Sequence, residues 1–483
     1  MHEHDVCLDE LATSLSIVVC VLLRPEGALV SGLLILIELV VERRIPRFTL
    51  TCVAAAFVLS LPYVGFKLYY YGSILPNPFY AKTGLHADVF VSGLEYAGRF
   101  FAHYGFFGVG FLGSALLWSR LARSGRTVLL YAAAYTVYII IVGGDVLKVH
   151  RFFLPLFGPA AILVALVAQH VTSRMRVRTQ SLIITAVGVC LLSLTYFLPR
   201  GFVEQYNYLE RSFVIKMRTM ATNITASDSS IFSVALPTIG VFGFELMGHR
   251  IIDLVGLTDS TIARHSEEPI PGMETTWKEQ KHNSAYVLSQ EPDYIQFSTG
   301  IKPSAPAERA LVLYPQFQQS YRSIGWYFSI DPNRQGVIHS VFKKVRPLIG
   351  ELKPTYPVDF VENYKLGLDA AVAGDFATAV QFYGRALKAS PKPYYVNLLA
   401  NRAYCHMMLQ QHDKAQALLE YILSTDSLVY EAHQYQYFYS NMAGDSASAA
   451  YHLSWLEKLV PWYVPRIKML AARQTQSSQR PRR

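Results

Sequence analysis

The sequence predicts an α-helical multi-span membrane domain, followed by an extracytoplasmic α/β domain and an α-helical, tetratricopeptide-like solenoid. Three observations indicate this fold class. Apolar runs follow one another closely before Gly201, basic clusters fall between them, and small and aromatic residues recur about every 34 residues after position 358. The predicted regions are an N-terminal stub at 1–10, a transmembrane domain at 11–200, an α/β domain at 201–350, repeats at 351–465 and a disordered tail at 466–483.

Long apolar runs dominate the first part of the chain. Hydrophobic residues make up 52% of the 483 residues and charged residues 16%, and most of the apolar excess precedes Gly201. A membrane helix needs about 20 apolar residues to cross a bilayer, and somewhat fewer where neighbouring helices shelter it. The sequence predicts seven spans, at approximately 11–23, 27–41, 48–68, 104–119, 127–143, 152–171 and 181–198.

The basic residues between these runs indicate the orientation of the chain. Clusters at Arg43–Arg47, Arg120–Arg126 and Arg174–Arg178 occupy alternate loops, and positively charged loops stay in the cytoplasm. The intervening loops and everything after Pro199 are therefore expected outside the cytoplasm. The same clusters explain much of the net charge of +9, so we expect no nucleic-acid partner.

Short apolar segments separated by turns follow the last predicted span. Ile231–Leu236, Arg250–Leu254, Asp293–Phe297 and Val337–Phe342 are predicted strands, because Pro, Gly, Asp and Ser bound them. A helix is predicted within residues 237–247, between the first two strands. This alternation favours a mixed sheet.

An internal repeat of the tetratricopeptide type is predicted over residues 358–461. The first unit carries Gly367, Gly374, Ala379, Tyr383, Ala386 and Pro391, the second Ala403 and Ala415, and the third Gly444, Ala449 and Pro461. The small residues stand where two helices touch, and proline ends the second helix. A plain helical bundle is the alternative, because the second unit matches weakly.

Cysteines and histidines indicate no metal site or disulfide framework. The five cysteines are scattered, whereas zinc sites and disulfide frameworks show regular cysteine spacing. His2 and His4 form a pair near the N-terminus without further ligands. We therefore assign no metal ligand.

Two loops on the predicted outer side carry polar residues next to apolar runs. In the first, Arg24 and Glu26 lie between two predicted spans, where unpaired charge is costly; the alternative is a structural ion pair. In the second, residues 69–84, Asn77 offers amide groups and Lys82 offers a cation that suits a lipid phosphate. The alternative there is an aromatic belt followed by an ordinary turn.

A third outer loop, residues 143–155, concentrates charge between two spans. Asp145, Lys148, His150 and Arg151 lie within seven residues. The guanidinium fork of arginine suits a phosphate, and aspartate can accept hydrogen bonds from sugar hydroxyls or act as a base. A salt-bridged structural loop is the alternative.

Taken together, these strings resemble the GT-C-type, polyprenyl-phosphate-sugar-dependent glycosyltransferases, especially the terminal arabinofuranosyltransferase-like members. The resemblance covers roughly residues 11–300 and rests on the order of short motifs. The motifs are Arg24-Pro-Glu-Gly27, Leu75-Pro-Asn-Pro-Phe-Tyr-Ala-Lys82, Gly143-Gly-Asp145, Arg151-Phe-Phe-Leu-Pro155, Asp253–Arg264 and Pro292-Asp-Tyr-Ile295.

The resemblance implies a membrane enzyme that transfers a sugar from a polyprenyl-phosphate donor to an envelope glycan, lipid or protein acceptor. It implies the bacterial cytoplasmic (inner) membrane, with the C-terminal domains extracytoplasmic. No nucleotide sugar or Rossmann fold is expected. No cofactor is firmly implied, although the motifs leave a divalent metal open.

The resemblance also implies roles for individual residues. Members of this class begin with further spans and a loop carrying the acidic base, so the chain resembles an N-terminally shortened member and the base is expected upstream of Met1. The implied roles are donor-phosphate binding for Lys82, His150 and Arg151, sugar or acceptor binding for Asn77, Tyr80 and Asp145, and shaping of the site for Arg24 and Glu26.

A different class of function is the main alternative. The apolar helices would then anchor a noncatalytic scaffold whose tetratricopeptide repeats recruit protein partners for envelope assembly. A transporter is a third hypothesis, but the sequence offers few of the intramembrane polar residues and paired broken helices expected of one.

Overall fold

A computed structural model describes residues 2–23, 26–43, 46–82, 87–147, 149–273, 280–328, 337–392 and 395–479. The chain divides into two compact units. Met1–Pro76 with Gly84–Glu210 forms the first, and Asn77–Thr83 with Arg211–Arg483 forms the second.

The helices are α1 His2–Leu23, α2 Glu26–Glu42, α3 Arg47–Tyr71, α4 Asn77–Lys82, α5 Ala87–His103, α6 Gly105–Leu116, α7 Arg123–Ile141, α8 Phe157–Thr172, α9 Val177–Phe197, α10 Arg200–Ser227, α11 Ile239–Glu245, α12 Ser260–Arg264, α13 Ser284–Ser289, α14 Pro306–Val312, α15 Pro315–Ser320, α16 Val358–Val372, α17 Phe376–Ala389, α18 Val396–Met408, α19 His412–Thr425, α20 Tyr430–Ala443, α21 Ser446–Leu459 and α22 Val464–Gln479. Short 3-10 helices occur at Trp118–Arg120, Arg151–Leu156 and Pro461–Tyr463. The strands are β1 Ser233–Leu236, β2 Arg250–Asp253, β3 Tyr294–Ile295, β4 Tyr321–Phe328 and β5 Val337–Lys344.

Helices occupy all the segments that the sequence predicts as spans. Within the described residues, four helical stretches are long and apolar enough to cross a membrane: Arg47–Tyr71, Arg123–Ile141, Arg151–Thr172 and Val177–Ser227. The apolar helix α6 is shorter. Helix α1 already begins at His2, so the predicted N-terminal stub is helical. These helices are consistent with membrane association.

Helix α5 corrects the sequence prediction, which placed only a loop between the third and fourth predicted spans. Its residues Tyr96, Ala97 and Phe100 are buried in the core of the first unit. Phe100 stacks on Phe153, with ring centroids 3.8 Å apart. Gly93 packs so closely on the Ile140 carbonyl that a Cβ atom would not fit. A search for span-length apolar runs misses this helix because its apolar residues lie along one face.

A mixed sheet forms in the second unit, as predicted. Among the described residues the strand order is β2-β1-β3-β5-β4, with β1 parallel to β2 and β3, and β5 antiparallel to β3 and β4. The predicted strands overlap β1, β2, β3 and β5. The sequence prediction missed β4, whose residues 321–326 are all buried. Because both faces of this strand are covered, its sequence shows no alternation of apolar and polar residues.

The C-terminal helices pair in sequence order, α16 with α17, α18 with α19 and α20 with α21. Gly367 on α16 lies against the buried ring of Tyr383 on α17. Gly444 ends α20 in the left-handed conformation at φ 75°. The predicted small and aromatic positions therefore lie at helix contacts. Beyond the pairs, Ile467 and Ala471 of α22 are buried, so the predicted disordered tail begins with a packed helix.

Replacement of Gly367 by alanine should destabilise the second unit. A Cβ atom at this position would lie well inside van der Waals contact with the Tyr383 ring. Overpacking costs about 1–3 kcal/mol, which exceeds the roughly 1 kcal/mol gained from the higher helix propensity of alanine. Gly384→Ala is the matched control, because that helical glycine has open space around it. Thermal unfolding of both variants measures the difference, and an equal or higher melting temperature for Gly367→Ala would contradict the packing.

Candidate functional site

The third predicted outer loop, residues 143–155, belongs to the first unit and has a constrained backbone. Gly143 and Gly144 adopt positive φ angles of 77° and 68°, and a Cβ atom on Gly144 would collide with the Tyr96 ring. His150 also has a positive φ, of 40°. Such strain in a residue other than glycine occurs preferentially at functional sites. These angles make the loop a candidate functional site.

Asp145 and Arg151 form a bidentate ion pair within this loop. The guanidinium donates from Nε to Oδ2 and from Nη2 to Oδ1, the latter over 2.9 Å. The Asp145 side chain is 2% exposed and the Arg151 side chain 45% exposed. Burial of Asp145 without its partner would be costly, so the pair fixes the direction of the guanidinium. An electrostatic interaction also links Arg151 with Glu26, the first residue of α2.

His150 is a buried, neutral member of the same loop. Its Nε2 lies 2.8 Å from Nδ1 of His103. Burial lowers the pKa of His150 to about 4, and the neighbouring His103 and Arg99 add to this effect. At neutral pH the imidazole therefore offers hydrogen bonds rather than charge. Within the described residues its buried Nδ1 has no hydrogen-bond partner.

The ring of Phe202 contacts both His150 and the guanidinium of Arg99. His150 stacks on Phe202 with centroids 5.7 Å apart, and the Arg99 guanidinium lies 5.5 Å from the centroid of the same ring. The sequence analysis missed Arg99 and His103. The available signal was the spacing of Glu95, Arg99 and His103 at four-residue intervals, which places them on one face of a helix.

The second predicted outer loop contains α4, which belongs to the second unit. Asn77 donates from Nδ2 to the Thr258 carbonyl over 3.3 Å. The Tyr80 ring lies 5.1 Å from the Arg264 guanidinium. These contacts join two of the strings on which the family resemblance rests, 75–82 and 253–264.

Asp253 and Asp259 organise the turn that α4 contacts. Asp253 accepts hydrogen bonds from the Val255 and Thr258 amides over 3.1 and 2.6 Å. Burial raises the pKa of Asp253, although these hydrogen bonds oppose the rise. Asp259 caps α12 through the Thr261 and Ile262 amides. Both carboxylates therefore have structural partners.

The remaining predicted site residues are not all described. Arg24 and the side chain of Lys82 lie outside the described residues. Of the predicted set, Asp145, His150 and Arg151 belong to one loop of the first unit, whereas Asn77 and Tyr80 belong to the second. In the part of the chain that the structure describes, no group of three or more His, Cys, Asp or Glu residues could hold a metal ion.

Comparison with known families identifies two segments. Residues 204–343 match the model of a domain of unknown function (DUF8728), and residues 371–427 match the tetratricopeptide repeat model. No curated protein and no solved structure matches the chain. The prediction of tetratricopeptide repeats is confirmed for residues 371–427. The C-terminal part of the chain thus carries tetratricopeptide repeats, preceded by a segment similar to a domain of unknown function.

Proposed function

We propose that the chain is a membrane glycosyltransferase of the GT-C type, or the C-terminal portion of one. It would transfer a sugar from a polyprenyl-phosphate donor to an envelope glycan, lipid or protein hydroxyl on the extracytoplasmic side of the bacterial cytoplasmic membrane. The observation that carries the proposal is the ion pair between buried Asp145 and half-exposed Arg151, next to the strained, buried His150. Helices long and apolar enough to cross a membrane support a lipid-linked donor.

The ion pair suggests a role for each partner. Asp145 uses its carboxylate to hold Arg151, so its expected function shifts from sugar binding to positioning. The half-exposed guanidinium retains N–H groups that can donate to the donor phosphate.

In the proposed reaction the acceptor oxygen bonds to the anomeric carbon, the bond from that carbon to the phosphate oxygen breaks, and a base takes the hydroxyl proton. The base is not assigned to a residue of this chain. The roles predicted for Asn77, Tyr80 and Lys82 stay predictions.

Arg151→Lys should lower kcat/KM for sugar transfer by about 100-fold or more. Lysine cannot reproduce both bonds to Asp145, and its ammonium lacks the planar fork that fits a phosphate. The measurement is transfer of radiolabel from a polyprenyl-phosphate pentose or hexose by the purified full chain in detergent. Arg178→Lys is the control, because Arg178 is exposed. If Arg151→Lys transferred sugar at the wild-type rate, Arg151 would not bind the donor phosphate in the way proposed.

The scaffold remains a second candidate because of the tetratricopeptide match at residues 371–427. Such repeats bind protein segments on extended surfaces. A wild-type chain that transfers sugar from none of the donors, yet retains a specific envelope protein after crosslinking in membranes, would favour the scaffold. Transfer that depends on Arg151 would favour the enzyme.

A further inference from the structure

Arg99 lies in the first unit and is partly buried. The residue is on α5, and its guanidinium contacts the Phe202 ring. Among the residues that the structure describes, it forms no ion pair. Removing a charge from water is unfavourable unless an opposite charge compensates it. The position therefore suits an anion supplied from outside the chain.

Arg151, by contrast, is already neutralised. Its charge is matched by Asp145, with which it shares two hydrogen bonds. A phosphodiester carries one negative charge, so a site formed by this pair alone would leave that charge without compensation. A further cation is needed close to the loop. Arg99 meets this requirement, because it lies within electrostatic reach of His103 and His150.

His103 and His150 provide a hydrogen-bond donor close to Arg99. When the Nδ1–H of His103 donates to Nε2 of His150, the proton of neutral His150 resides on its own Nδ1. This atom has no partner in the described structure, and His150 is only 5% exposed. A buried donor without an acceptor costs about 1–3 kcal/mol. An oxyanion would satisfy it.

We propose that Arg99, His103 and His150, grouped around Phe202, form an oxyanion site for the phosphate of a lipid-linked substrate. Arg99 supplies the net positive charge, the Nδ1–H of His150 donates a hydrogen bond, and His103 is a positioning residue that fixes the tautomer of His150. The inference rests on the proposed function in one respect, since that function supplies the lipid-linked phosphate.

Equilibrium binding of geranylgeranyl phosphate to the full chain in uncharged detergent micelles tests the site. Arg99→Gln should weaken binding by about tenfold to 100-fold, because it removes a charge-assisted hydrogen bond. Arg99→Lys should restore part of the affinity. His103→Gln should weaken binding less, because His103 acts through His150. Arg178→Gln is the matched control, since it removes an exposed arginine, and it should bind as the wild type does.

Two further ligands distinguish the source of the phosphate. Geranylgeraniol, which lacks the phosphate, should bind wild type and Arg99→Gln equally weakly. Inorganic phosphate at the same concentration should not displace the lipid. Displacement by inorganic phosphate would overturn the lipid assignment, and unchanged lipid binding in both Arg99→Gln and His103→Gln would overturn the site.

The outcome is separable from that of the proposed function. A chain that binds geranylgeranyl phosphate through Arg99 but transfers no sugar would support the site and contradict the proposal that this chain is by itself the enzyme. Transfer that depends on Arg151 but proceeds normally in Arg99→Gln would support the enzyme and contradict the site.

Discussion

Asp426→Ala is expected to lower the free energy of unfolding of the second unit by about 3–5 kcal/mol. Asp426 is 4% exposed. It accepts hydrogen bonds from the buried Arg322 guanidinium and, over 2.8 Å, from both Nη atoms of Arg346. Removal of the carboxylate would leave the charge of Arg322 buried without compensation. A large loss is expected because one acidic group serves two arginines.

Chemical unfolding of the full chain in detergent, followed by hydrogen exchange of β4, measures this loss. Arg322 belongs to β4 and Asp426 follows α19, so exchange should rise in the strand even though the mutation lies outside it. Asp413→Ala is the control, because Asp413 is an exposed acidic residue at the start of α19. A loss no larger than that of the control would mean that the arginines find other partners.

Glu431→Gln is expected to stabilise the second unit at alkaline pH but not at acidic pH. Burial raises the pKa of Glu431 from 4.5 to about 7, although the hydrogen bond from Ser323 opposes the rise. The folded state therefore binds the proton of Glu431 more tightly than the unfolded state does, so the contribution of Glu431 to stability is greatest below about pH 4.5 and is lost as the pH rises through 7. Glutamine does not ionise, so the Glu431→Gln variant does not lose this contribution to stability as the pH rises.

The stability difference between Glu431→Gln and the wild type should grow between pH 4 and pH 8, reaching up to about 3 kcal/mol. Melting temperatures of the full chain across this range measure it. Glu420→Gln is the control, since Glu420 is an exposed residue of α19. Parallel pH profiles for the wild type and Glu431→Gln would show that the carboxyl group is not shifted in the folded protein.

Patterns that repeat along the sequence predicted most elements of the fold. Apolar runs indicated the long helices, and the spacing of Gly367 and Tyr383 indicated a helix pair because it reflects a direct contact. β4 was missed since burial on both faces removes the alternation that marks a strand. Helix α5 was missed because its apolar residues lie on one face and do not form the continuous apolar run that marks a membrane span.

The candidate site could be predicted only where its residues are close in sequence. Asp145, His150 and Arg151 lie within one loop, and the concentration of charged and polar residues there indicated a functional site. That Asp145 would be bound to Arg151, and His150 neutral, depends on burial, which a sequence does not record. Arg99 and His103 become neighbours of the loop only through the packing of α5, so their four-residue spacing indicated a shared helix face but not its proximity to the loop.

The continuous apolar core of the second unit has a consequence for fragments of this protein. Phe317 and Phe342 of the α/β part belong to the same buried cluster as Tyr364 and Leu398 of the repeats. We expect a fragment that stopped at residue 343, where the similarity to the domain of unknown function ends, to lack the repeat residues of this cluster and to expose the apolar side chains that they cover. The residues that match the family model are therefore fewer than those that share this core.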